Sequence, residues 1–160
     1  MINFDESFIR AFAISIHFQD IALLLLRVLT GFAFCLHGWP KIRQPVRWAN
    51  SLGFPIWLCC VSALTMLLGG MGLIVGFLTT IDSTMILVSM LTAVVLKVSK
   101  GLPFIGTDPH LLAVNEYQGP LGPGEEPSYE KALLYVSIVI LFICIGPGFI
   151  SLDRIIANFY

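Results

Sequence analysis

FPIWLCCVSALTMLLGGMGLIVGFL, from Phe54 to Leu78, contains no acidic or basic side chain. A helix crosses the hydrocarbon core with about 20 mostly apolar residues. Lipid offers backbone groups no partner, so such a run satisfies itself only as a helix. Upstream, residues 21–38 form a second apolar run, interrupted by Arg27 and His37. Downstream, residues 81–99 form a third, with Asp82 near one end and Lys97 near the other. Residues 132–150 form a fourth, again without charge. The pattern predicts an all-α fold, a four-helix transmembrane bundle of spans 21–38, 54–78, 81–99 and 132–150. Thr79–Thr80 reads as a tight hairpin between the middle spans. Residues 101–128, rich in Gly and Pro, read as a long loop, and loops of that length are commonly functional.

The composition agrees. The chain has 160 residues, 57% of them hydrophobic and 12% charged, with mean hydropathy +0.88. Soluble domains have about 45–50% apolar and about 25% charged residues. A soluble enzyme could not cover its surface with this set, and the chain is too apolar for a disordered tail. The net charge of −1 gives no basic footprint for nucleic acid. Cys35, Cys59, Cys60 and Cys144 lie in apolar runs without a C-x-x-C pair. They read as packing residues, and no metal site is written in the sequence.

Residues 1–20 form a separate segment before the membrane domain 21–160. Phe4, Phe8 and Phe12 recur every fourth position among Asp5, Glu6 and Arg10. That spacing predicts a short N-terminal amphipathic interfacial helix, with a break at Gln19–Asp20. The segment lacks the basic start of a signal peptide. Six basic residues (Lys41, Arg43, Arg47, Lys97, Lys100, Lys131) fall on one side of the bundle, against Arg10, Arg27 and Arg154 on the other. Lys and Arg accumulate on the cytoplasmic side, so both termini are expected to be non-cytoplasmic.

Charge inside a span normally faces the bundle or a wet cavity. Arg27 is the first such residue, and Asp82 or Asp153 at the same end could clamp it. His37 and Lys41 lie in the same angular sector of the helix at about 100° per residue. Glu130 opens the fourth span at their end. A carboxylate beside a histidine can relay protons. Arg27, His37, Lys41, Glu130 and Asp153 are therefore the candidate polar site, either functional or fixing helix register. Gly72-x-x-x-Gly76 has the small-residue spacing of close helix packing, within the bundle or between copies.

These marks together resemble the DoxX family of small membrane proteins. Arg27-Val-Leu-Thr-Gly31 followed by His37-Gly38-Trp-Pro-Lys41 looks like the family's first span, and Leu52-Gly53-Phe54-Pro55 like the approach to its second. Gly69-Gly70 through Gly76, the stretch Gly124-Glu-Glu-Pro127 to Tyr135, and Gly146-Pro-Gly148 with Ser151-Leu152-Asp153 continue the likeness. The sequence departs from the family pattern at Thr65–Met66, where an acidic residue is common, and at Phe149, where Arg is common. The resemblance implies a multi-pass protein of a bacterial-type plasma membrane. It also implies a subunit or anchor of a quinone- or thiol-linked redox system, with no cofactor fixed but quinone as a candidate, and a soluble oxidoreductase or another membrane subunit as candidate partner. The alternative is a non-catalytic scaffold in the bilayer, docking a soluble partner through loop 101–128 and pairing as a homo-oligomer. No catalytic residue is legible.

Overall fold

The computed structural model describes residues 6–107, 118–119, 122–123 and 127–159, with side-chain burial described for residues 18–107 and 127–159. The elements are α1 (Glu6–Arg43), α2 (Pro45–Leu52), α3 (Ile56–Val75), α4 (Thr79–Ser99), a two-residue ladder of β1 (Gln118–Gly119) with β2 (Gly122–Pro123), α5 (Glu130–Ile145) and α6 (Leu152–Ala157). Among the described residues the fold is all-helical apart from that ladder within the long loop. α1 packs on α3, α3 on α4 and α4 on α5. The Phe34 and Tyr135 rings, 4.9 Å apart, join α1 to α5 and close a four-helix bundle.

Among the described residues, three helices are long and apolar enough to cross a membrane: Phe18–Arg43, Ile56–Val75 and Thr79–Ser99. The fourth, α5, has 16 residues, about 24 Å at 1.5 Å per residue. The core holds Phe34, Met66, Leu73, Ile86, Met90, Val136, Val139 and Phe142. Outside it, Leu25, Leu29, Phe32 and Leu36 on α1 are exposed, as are Val61, Leu64, Leu68, Met71 and Val75 on α3. Steps of three and four residues make each set a stripe along one helix face. Apolar stripes on this scale, outside an already packed core, are surfaces for lipid.

Small residues set the spacing of α1 against α3. A Cβ on Gly31 would lie 2.5 Å from the Gly70 carbonyl oxygen, and one on Gly70 would lie 2.7 Å from that of Gly31. Gly38 fits in the same way against the backbone of Ala63 and Leu67. Close backbone approach at small residues replaces the hydrophobic drive that lipid cannot supply.

Four sequence expectations need correction. No break occurs at Gln19–Asp20, because neither residue is a Gly or Pro that would interrupt the ladder. Instead, Asp20 Oδ1 accepts a hydrogen bond from the Phe149 amide at 3.2 Å. The interfacial face expected of residues 1–17 lies outside the described side chains. The second span ends at Val75, not Leu78, because Gly76 takes a left-handed conformation (φ 73°) and its N–H donates to the Gly72 carbonyl. The hairpin therefore falls at 76–78, and Thr79–Thr80 are the first residues of α4. The fourth helix begins at Glu130 and stops at Ile145, where Gly146-Pro147-Gly148 breaks it with φ of 83° and 77° at the two glycines.

Candidate functional site

The polar residues separate into two groups at opposite ends of the bundle. Arg27 and Lys41 are 14 positions apart on one helix, about 21 Å along its axis. They share an angular sector but not a site.

At the first end, Arg27 is 1% exposed. Its guanidinium donates to the Pro147 carbonyl and to the Ile150 carbonyl at 2.7 Å, both in the segment after α5. Asp153 accepts from the Leu78 and Thr79 amides at 2.7 and 2.9 Å. Its own amide donates to the Gly76 carbonyl at 2.9 Å. Asp153 is thus the N-terminal cap of α4, supplied from α6. The expected direct clamp between Arg27 and a carboxylate is replaced by carbonyls on one side and amides on the other.

Gly72 and Gly76, expected as a packing pair, make room for side chains. A Cβ on Gly72 would collide with the Asp82 carboxylate, and one on Gly76 would lie 2.8 Å from both Arg27 Cζ and Ser151 Cβ. Asp82 is 7% exposed. Beside it in sequence, Thr79 Oγ1 and Ser83 Oγ are buried without hydrogen-bond partners among the described residues, as is Arg27 Nε.

At the other end a cavity of about 1020 Å³ opens between the helices. Its inner wall is apolar: Phe34, Cys59, Met66, Met90 and Ala132. His37 and Lys41 reach it from α1, Thr65 from α3, Ser89 and Lys97 from α4, and Lys131 and Tyr135 from α5. The Lys41 ammonium is 3.1 Å from the Met66 sulfur and 4.7 Å from the Trp48 ring centre. The His37 and Tyr135 rings meet edge-on at 6.4 Å. Thr65 and Ser89 hydroxyls pair at 3.2 Å. Lys97 donates to the Ser128 carbonyl at 2.6 Å. Small-ligand pockets commonly measure about 300–1,000 Å³, apolar with a few convergent polar groups, and this cavity is of that kind at the upper end.

The candidate residues therefore fall in three places. His37 and Lys41 line the cavity. Arg27 and Asp153 tie the opposite end together. Glu130 is exposed, and its amide donates to the Phe104 carbonyl at 3.0 Å. Sequence reasoning did not find Thr65, Ser89 or Tyr135. The available signal was polar residues inside two adjacent spans. Residues 108–117, 120–121 and 124–126 of the long loop lie outside the described residues.

Fold and apolar exterior define a multi-pass helical membrane protein in contact with the bilayer. The DoxX family model matches residues 22–98, which takes in α1 from residue 22, α2, α3 and nearly all of α4. Over that stretch, just under half of its length, this chain is similar to the DoxX family. It is also similar to CatD of Bacillus subtilis (strain 168), provisionally named an oxidoreductase, with 31% identity over 90 residues, 54% of this chain and 66% of the relative. The match spans just under two thirds of that relative's length. No solved structure matches.

Proposed function

We propose that this chain is a membrane subunit or anchor of a quinone- or thiol-linked redox system in the plasma membrane, with both termini non-cytoplasmic. The cavity at the His37–Lys41 end carries this reading. Its apolar wall suits a ring and isoprenoid tail, and its donors suit carbonyl oxygens. The name of the Bacillus subtilis relative points toward the same chemistry. The His37 ring N–H and the Lys41 ammonium would donate to the two oxygens of a bound quinone. Tyr135 would orient His37 through their edge-on contact. A bound quinone would supply the electron acceptor, and a soluble oxidoreductase, as partner, the electrons.

Quinone content tests the reading. The protein is purified in mild detergent, extracted with organic solvent, and compared with a His37→Ala/Lys41→Ala variant at matched lipid content. Near-stoichiometric quinone, lost in the variant, is the expected result. Quinone no higher than the lipid background in the unaltered protein would remove this reading.

A further inference from the structure

The same cavity has a feature that a neutral quinone does not call for. Five basic side chains line it: His37 and Lys41 from α1, Lys97 from α4, Lys100 just after α4, and Lys131 from α5. No Asp or Glu is among the described residues that do. Glu130, the nearest acid in sequence, is exposed at the start of α5. Lys41 sits in the last turn of α1 and Lys97 in the last turn of α4, so their charges gather at one membrane face. Among the described residues, the Lys41 ammonium meets a thioether and an indole face, both weak partners. Lys41 and Lys97 face the same cavity, and two like charges there repel each other unless an anion lies between them.

The cavity also opens sideways. Val61 of α3 and Val88 of α4 line it and lie on the lipid-facing surface, 50% and 61% exposed. An apolar slot between two helices thus runs from bilayer to lysines. Basic pockets between transmembrane helices are known to take lipid head groups.

We propose that the lysine end of the cavity binds an anionic phospholipid, its phosphate against Lys41 and Lys97 and one acyl chain in the slot between α3 and α4. This goes beyond the redox reading and does not depend on it; because both readings use Lys41, quinone and lipid are alternative occupants of the cavity. A soluble phosphate would use the lysines but leave the slot without a role.

The experiment is native mass spectrometry of the full chain from mixed micelles holding equal phosphatidylglycerol and phosphatidylcholine. Quinone is quantified in the same preparations. The expected result is retention of one phosphatidylglycerol over phosphatidylcholine by about tenfold or more. Lys41→Gln/Lys97→Gln should lose that preference. Arg43→Gln/Arg47→Gln, which removes two charges at the same end that do not line the cavity, should keep it. Equal retention of the two lipids by the unaltered protein overturns the proposal without recourse to any variant. Equal loss in both double variants overturns it too, since the effect would then be general surface charge. Inorganic phosphate that displaces the lipid at micromolar concentration would assign the lysines to a soluble anion and overturn the lipid. Quinone present without phosphatidylglycerol would leave the redox reading standing and remove this one. The reverse result would do the opposite.

Discussion

Gly76 lies where the Arg27 guanidinium passes: a Cβ at that position would come within 2.8 Å of the guanidinium carbon. The same glycine ends α3 in a left-handed conformation, and its carbonyl receives the Asp153 amide. One residue without a side chain thus permits a helix stop, a buried arginine and the docking of α6. Gly76→Ala should cost on the order of 3 kcal/mol, from about 1–2 for the left-handed backbone and about 1–3 for overpacking. Gly53 is the control, with the same φ of 73° and nothing within 4 Å of its Cβ position. Gly53→Ala should cost only the backbone share. Thermal unfolding in mild detergent compares the two, and equal losses would show that Arg27 does not depend on the space.

Asp153 reaches across the turn to cap a helix that is not its own. Asp153→Ala should therefore destabilise the start of α4, by about 0.5–2 kcal/mol as for other N-caps. Hydrogen exchange at the Leu78 and Thr79 amides reads this directly, since both donate to that carboxylate. Exchange that rises no more there than elsewhere would remove the capping role.

The spans were legible because long uncharged runs have one stable outcome in lipid. Their ends were less so. Val75 closes α3 through Gly76, whose neighbours Arg27 and Ser151 are remote in sequence. Gly72-x-x-x-Gly76 has the spacing of a backbone seam, but spacing does not say what fills the space, and the backbone seam is at Gly31 and Gly70. A count of 100° per residue brings Arg27, His37 and Lys41 into one sector because it records angle and discards height. About 21 Å of rise separates the first from the last. Lys97 and Tyr135 join His37 only through the packing of α4 and α5.

Arg27 and the His37–Lys41 pair should separate in experiment. Arg27→Lys keeps charge but presents no planar fork for the Pro147 and Ile150 carbonyls, so stability should fall by about 1–3 kcal/mol. Quinone and lipid retention should persist in whatever fraction stays folded. His37→Ala/Lys41→Ala should do the reverse, losing quinone with a smaller change in unfolding temperature. A variant at Arg27 that loses quinone while its unfolding temperature holds would place the arginine in the binding site after all.

Gly72 and Asp82 offer a pairwise test. The Asp82 carboxylate occupies the space that a Cβ on Gly72 would need, and neither group can shift freely inside the packed bundle. Gly72→Ala alone should be destabilising, because the methyl and the carboxylate cannot both be accommodated. Asp82→Ala alone leaves a small void. Together they should be milder than the sum, since the new methyl enters space that the carboxylate has vacated. The coupling should fall within the 0.5–3 kcal/mol typical of contacting residues. Unfolding of the four proteins in one detergent gives the cycle. Additive losses would mean that the Asp82 side chain does not rest on Gly72, and the role given to this glycine would have to be withdrawn.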